Sequence, residues 1–158
     1  MIMRCLRFLL VALALVAPPV VLADAFKTAG VYTLVATGIT TPLTAAAQTP
    51  ITALDGATSA TLTAVFGYGS GGTSADVLVQ TTLDGGTTWL DVAHFSFTTA
   101  SATKYANLSG LTPKGITSYA ALAGEGVNDG LLGNQLRAVI TSVGIYANTT
   151  LSVRVSLR

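Results

Sequence analysis

Leu151-Ser152-Val153-Arg154-Val155-Ser156-Leu157-Arg158 alternates without a fault, four aliphatic side chains interleaved with two serines and two arginines. Successive side chains of an extended chain point to opposite faces, so a period of two makes a strand with one dry and one wet face. Wound into a helix, the same residues would be scattered around the whole circumference. Outward from this stretch the pattern recurs. Asn134–Val143 sets Leu136, Ala138 and Ile140 against Gln135, Arg137 and Val139. Asp76–Leu83 opposes Val77, Val79 and Thr81 to Leu78, Gln80 and Thr82. Ser59–Phe66 places Leu62 between Thr61 and Thr63 before running into Val65 and Phe66. Trp89–Phe97 puts Leu90, Val92, His94 and Ser96 on one side and Trp89, Asp91, Ala93, Phe95 and Phe97 on the other. Val31–Ala36 and the shorter Lys104–Leu108 complete the set, and two dozen threonines suit a pleated surface.

Past residue 24 no helical period is sustained, and turn signals punctuate the chain: Asp55-Gly56, Gly67 to Gly72, Gly85-Gly86, Ser109-Gly110, Asp129-Gly130 and Asn148. The expectation is an all-β chain, an antiparallel β-sandwich or jelly-roll-like fold. Residues 54–158 form that domain. Residues 24–53 are an extended arm or first strand, with the Thr-, Ala- and Pro-rich stretch 37–50 as connector. Pro113 to Gly133 is a long Gly-rich excursion that caps one end or forms a contact loop.

With 158 residues the chain is long enough for one domain, and its side chains are 51% apolar and only 9% charged, against about 25% in an average protein. That composition excludes intrinsic disorder. A net charge of +1 without basic clusters argues against nucleic acid as a partner. One cysteine, Cys5, and one histidine, His94, supply neither an internal disulfide nor an ordinary four-ligand zinc site. The first 23 residues stand apart. Arg4 and Arg7 precede an apolar run, Phe8 to Ala17, then Pro18-Pro19 and Val21-Leu22-Ala23. This is the layout of a secretory signal peptide cut after Ala23, or of a retained hydrophobic segment. The double proline interrupts the run well short of the roughly 20 residues a spanning helix needs, so no stable membrane anchor is expected.

The most specific string is Thr82-Leu83-Asp84-Gly85-Gly86-Thr87-Thr88-Trp89, which resembles the Asp-box of sialidase-type propellers. It reads as a structural turn: Asp84 accepts turn amides, Gly85 and Gly86 supply positive φ, Thr88 lies in the turn, and Trp89 folds back as a plug. Glycoside hydrolysis would need a repeated box and an acid pair or a tyrosine with arginines, which a chain with one Glu does not offer. Gly67-Tyr68-Gly69-Ser70-Gly71-Gly72 lacks the lysine and helix of a phosphate loop and reads as a hairpin loop. His94 has no second histidine beside it in sequence, and a serine triad would have to be built around it alone. Glu125, Asn128 and Asp129 carry oxygens of the kind calcium takes, but turn roles for them are the simpler reading. No catalytic residue, cofactor or metal ligand is assigned. The candidate contact loops are Tyr68, Gly69 and Ser70 at one place, and Tyr119, Asn128 and Asp129 at another.

Leu54-Asp55-Gly56-Ala57-Thr58, Phe66 to Thr73, and Val79 to Ala93 with its Gln-Thr-Thr-Leu-Asp-Gly-Gly-Thr-Thr-Trp core resemble a family of small phage and prophage proteins. The aromatic run from Phe95, the Gly130 to Gly133 turn, Leu136-Arg137-Ala138 and the strand after Tyr146-Ala147 continue the likeness over residues 54 to 158. The resemblance implies a structural virion protein on a capsid, neck or tail. Such a protein has no enzyme activity, and its partners are other virion proteins and further copies of itself. The alternative is an exported binding module contacting glycan or another surface. Residues 24–158 hold 6 basic and 7 acidic side chains, 13 in all, so the low charge belongs to the β-domain itself. A soluble monomer usually carries a more charged surface, and the deficit implies surface covered by neighbours.

Overall fold

A computed structural model describes residues 27–158. The leader read at residues 1–23, with its cleavage point after Ala23, lies outside the described residues. Eight long strands carry the fold: β1 (Gly30–Ile39), β2 (Leu43–Ala47), β3 (Ser59–Gly67), β5 (Ser74–Thr82), β6 (Leu90–Phe97), β7 (Ala102–Ser109), β9 (Gln135–Val143) and β11 (Thr149–Leu157). Three two-residue strands join them: β4 (Ser70–Gly71), β8 (Gly126–Val127) and β10 (Tyr146–Ala147). No described residue is helical.

Two antiparallel sheets face each other, one ordered β1-β11-β3-β7 (sheet A) and the other β2-β9-β5-β6-β8 (sheet B). The long strands pair from the outside inwards. The first pairs with the last (β1 with β11), the second with the last but one (β2 with β9), then β3 with β7, and β5 with β6 at the centre. A long hairpin rolled upon itself has this pairing, which is the jelly roll. The alternations read from sequence point where they should. Leu151, Val153, Val155 and Leu157 of β11 are buried against Leu136, Ala138 and Ile140 of β9, with Leu62, Phe66, Val77 and Val79 in the same core. Phe66 stacks on Phe97 across the two sheets at 5.1 Å between ring centres and meets the edge of Tyr146 at 6.4 Å. That cluster closes one end of the sandwich.

Two local readings change. In β6, Val79 pairs with Ala93 but Gln80 pairs with Asp91, leaving Val92 as a bulge residue. A bulge shifts the facing of everything beyond it by one residue. Asp91, read as sharing a face with Ala93 and Phe95, therefore turns to the outer face beside Gln80. The stretch 37–50, read as a connector, contains the end of β1 and all of β2. Gly38 and Ile39 pair with Thr150 and Thr149, and Leu43, Ala46 and Ala47 pair with β9. Its run of Thr and Ala shows no alternation because β2 is an edge strand with little buried surface.

All four sheet edges are blunted against pairing with another chain. The register slips within β1 between Thr33 and Val35, and within β2 between Leu43 and Ala46, where Ala45 has a φ of 45°. β8 is two residues long. On β7, Lys104 lies on the inward side between Ala102 and Ala106 and sends its ammonium to the Ser96 carbonyl and the Glu125 carboxylate, each at 2.6 Å.

Phe66→Ala should cost roughly 3–5 kcal/mol of unfolding free energy, read from urea midpoints, because it empties the aromatic cluster. Its outward neighbour Val65, changed to Thr, should stay within roughly 0.5 kcal/mol of wild type.

Candidate functional site

The end of sheet B opposite that cluster gathers most of the chemistry. Its first part is the β5–β6 hairpin. Thr82, buried at the end of β5, donates its hydroxyl to Asp84 Oδ1 at 2.7 Å and accepts the Gly86 amide at 2.9 Å. The same Asp84 oxygen accepts the Thr88 amide at 2.8 Å. Gly85 and Gly86 have φ values of 71° and 103°, which a side chain would resist. The Trp89 indole folds back and donates to the Gly86 carbonyl at 2.9 Å. Asp84, Gly85, Gly86, Thr88 and Trp89 thus meet in one turn. The Thr88 amide, then the Thr82 and Thr88 hydroxyls, hold the Asp84 carboxyl at about 2, below its ordinary 3.8.

From the hairpin a ladder of polar contacts runs across the outer face of sheet B. The Arg137 guanidinium lies 4.1 Å from the Trp89 ring centre, and its Nε donates to Gln80 Oε1 at 2.8 Å. Gln80 Nε2 in turn donates to Asp91 Oδ1 at 2.8 Å. Desolvation lowers the pKa of Arg137, and with no carboxylate of the described residues bonded to it the guanidinium rests on an aromatic face and an amide. Asp91 is the junction, a buried carboxylate whose second oxygen accepts the Leu122 amide at 3.1 Å, while its own amide donates to the Tyr119 hydroxyl at 2.7 Å. Burial raises the pKa of that phenol. Arg137, Gln80 and Asp91 were not singled out from sequence. Their cooperation depends on the Val92 bulge and on a loop from elsewhere in the chain.

That loop is the excursion between β7 and β9. Asp129 fixes its base, accepting the Ser109 amide at 2.6 Å and the Thr112 hydroxyl at 2.8 Å, and the first of these bonds chiefly lowers its pKa. Asn128 donates its side-chain amide to the Asp91 carbonyl at 3.3 Å and accepts the Lys114 ammonium at 2.6 Å. Lys114 also donates to the Asp129 carbonyl at 2.9 Å. The oxygens that could serve calcium are therefore engaged: Lys114 occupies the Asn128–Asp129 turn, and Glu125 is paired with Lys104. Among the described residues no group of three or more His, Cys, Asp or Glu is placed to hold a metal ion. Tyr119 and Asn128 come together here, around a half-open, mainly apolar cleft of about 600 Å³ whose lining also includes Leu90, Lys114, Ile116 and Leu131, while Asp129 stays at the base of the excursion. On the same excursion Leu111 is 73% exposed and Ile116 fully exposed.

Tyr68, Gly69 and Ser70 sit at the other end of the sandwich. There β4 pairs with β10, the Tyr68 hydroxyl donates to the Gly71 carbonyl at 2.9 Å, and the Gly69 amide donates to Thr149 Oγ1 at 3.1 Å. A Cβ at Gly72 would overlap the Tyr146 ring, so this loop is glycine-rich because it is pressed against a neighbour. The two candidate loops do not form one site.

Sheet B also brings Asp76, His94 and Ser96 together on its outer face, a grouping the sequence did not reveal because Asp76 lies on the partner strand. Ser96 donates to Asp76 Oδ1 at 2.6 Å, and His94 Nε2 lies 3.3 Å from that oxygen and 3.5 Å from Ser96 Oγ. Nucleophilic activation needs the serine proton directed to one ring nitrogen and the carboxylate to the other. Here serine and aspartate crowd the same nitrogen, the serine proton goes to the carboxylate, and His94 Nδ1 is buried without a partner. The cluster ties β5 to β6.

Asp84 carries a testable pH signature. Its folded pKa is depressed, so its stabilising contribution is complete above about pH 4 and disappears as pH falls through about 2. Asp84→Ala should lower the thermal midpoint at pH 7, with the difference from wild type vanishing near pH 2. Arg137→Ala should uncover the Trp89 ring, moving its fluorescence to longer wavelength at a cost of about 1 kcal/mol in stability. Compared with known protein families and with curated proteins, the chain matches none.

Proposed function

We propose that this chain is a non-enzymatic structural protein of a phage particle, a capsid decoration (cement) or head–tail connector subunit that works by protein–protein contact. The observation that carries the reading is the excursion between β7 and β9. Its base is tied down by Asp129, Asn128 and Asp91, yet it displays Leu111, Ile116 and Tyr119 to solvent, the last two lining an apolar cleft. Exposed apolar surface of this kind is what a binding partner covers. With every edge blunted, neighbours meet loops and faces and do not extend the sheets. The low charge of the domain and the likeness of residues 54–158 to small phage proteins support the same reading.

A second reading, an exported binding module, is favoured by the basic and then apolar sequence of residues 1–23. Density-gradient sedimentation with intact-mass measurement separates the two. A virion protein co-sediments with particles, and Ile116→Asp should cut its occupancy at least tenfold while leaving the thermal midpoint unchanged. Absence of the wild-type chain from particles, with native material beginning at Asp24, would replace the first reading with the second.

A further inference from the structure

We propose that the apolar run at residues 8–17 occupies the cleft beside the excursion of the same chain, and that a particle partner reaches the cleft by displacing it. The inference rests on the particle reading above, in which residues 1–23 are retained, and adds the regulation of that contact.

Residues 8–17 read Phe-Leu-Leu-Val-Ala-Leu-Ala-Leu-Val-Ala, ten apolar side chains without a charge. A soluble chain rarely leaves so much contiguous apolar surface in water, so a retained run needs a cover. Pro18-Pro19 ends the run, and residues 18–26 tie it to the first described residue, Lys27.

Lys27 emerges at the end of the sandwich that carries the cleft. Its amide donates to the Ala53 carbonyl at 2.7 Å, and the next amide along, that of Leu54, donates to the Asn134 carbonyl at 2.9 Å. Asn134 stands three residues from Leu131, which lines the cleft. With bonded neighbours about 5.5 Å apart and successive residues about 3.8 Å apart, Leu131 is within about 26 Å of Lys27. The ten steps from Ala17 to Lys27 extend to about 33 Å, so the tether reaches with slack. Two hollows mark the way. One runs from Lys27 to Asp55, Gly56 and Ala57, and the next from these three to Leu83 and Leu132, the neighbour of Leu131. Leu83 is 63% exposed there.

The cleft suits an uncharged occupant. Leu90, Ile116, Tyr119 and Leu131 give it apolar walls, and its about 600 Å³ is of the size that encloses a small apolar group. Lys114, the one charged residue described in its lining, is turned to Asn128 Oδ1 and the Asp129 carbonyl. A short tether holds its run at a local concentration in the millimolar range, which favours the chain's own segment over that of another copy in dilute solution. While the run is seated, a partner's apparent affinity is reduced by the fraction of molecules whose cleft is open.

Disulfide trapping in the full chain tests the placement. Cys5, the lone cysteine, is changed to Ser, and Ala12→Cys in the run is combined with Ser118→Cys in the cleft or with Thr61→Cys on the outer face of sheet A. In dilute solution the pair with Ser118→Cys should close within one chain at least tenfold more than the pair with Thr61→Cys, with equal thermal midpoints. Equal trapping of the two pairs would overturn the inference, and links between chains in place of links within them would assign the cleft to another copy's run. In the particle assay, Leu10→Asp with Leu13→Asp should uncover the cleft and lower the concentration for half occupancy at least threefold. An unchanged concentration would overturn the displacement and leave the particle reading standing. Wild-type protein missing from particles, with native material beginning at Asp24, would overturn the particle reading and the inference with it.

Discussion

β11 lies between β1 and β3, hydrogen-bonded along nearly its whole length on both sides, and its four aliphatic side chains face the opposing sheet. Pairing of the first long strand with the last forces the rest of the arrangement. Once β1 and β11 are joined, β2 and β9 are brought opposite each other in the second sheet, and the remaining strands nest inside them. Fully burying a Leu or Val side chain stabilises a fold by about 1.5–3 kcal/mol, so β11 is among the largest single contributors to the core. The functional end of sheet B inherits its position from this closure, because β9 brings Arg137 and the base of the excursion to the β5–β6 hairpin.

Scarcity of charge shapes the surfaces as much as the core does. Most of the few ionic side chains are assigned internal tasks. Asp84 and Asp129 cap turns, Asp91 anchors a loop, Arg137 covers an indole, and Lys104 closes the open side between β7 and β8. The wide faces are left to threonine, serine and scattered aliphatic groups. Such faces resist partners weakly, and their selectivity rests on the few polar groups that remain unengaged.

The strands legible in the sequence were those with one wet and one dry face: β11, β9, β5 and β3 announce themselves by alternation. β2 did not, because an edge strand of alanine and threonine needs no periodicity and takes its register from β9, far away in the chain. The Val92 bulge was equally silent, since an inserted residue looks like any other until its partner strand is known. The turn around Asp84 was legible because its bonds to Thr88 and the return of Trp89 to Gly86 are local, whereas Arg137, which covers the Trp89 ring, comes from β9. Tyr119, Asn128 and Asp129 were read as one loop, but the junction of Tyr119 and Asn128 with Asp91 joins distant segments, and no spacing in the sequence encodes it. The clustering of Asp76 with His94 and Ser96 was hidden for the same reason.

The outside-in pairing has a consequence in time. Chains whose contacts join distant segments fold slowly, because loop closure must be paid before those contacts form. During synthesis β1 waits for β11, which leaves the ribosome after all the other described strands, and only the β5–β6 hairpin can close early from nearby residues. Until then the dry faces of β3, β5 and β9 stay uncovered, and a nascent chain in that condition is prone to aggregate. The lysine on β7 carries its charge on that strand even while the molecule is incomplete, which disfavours pairing with another chain.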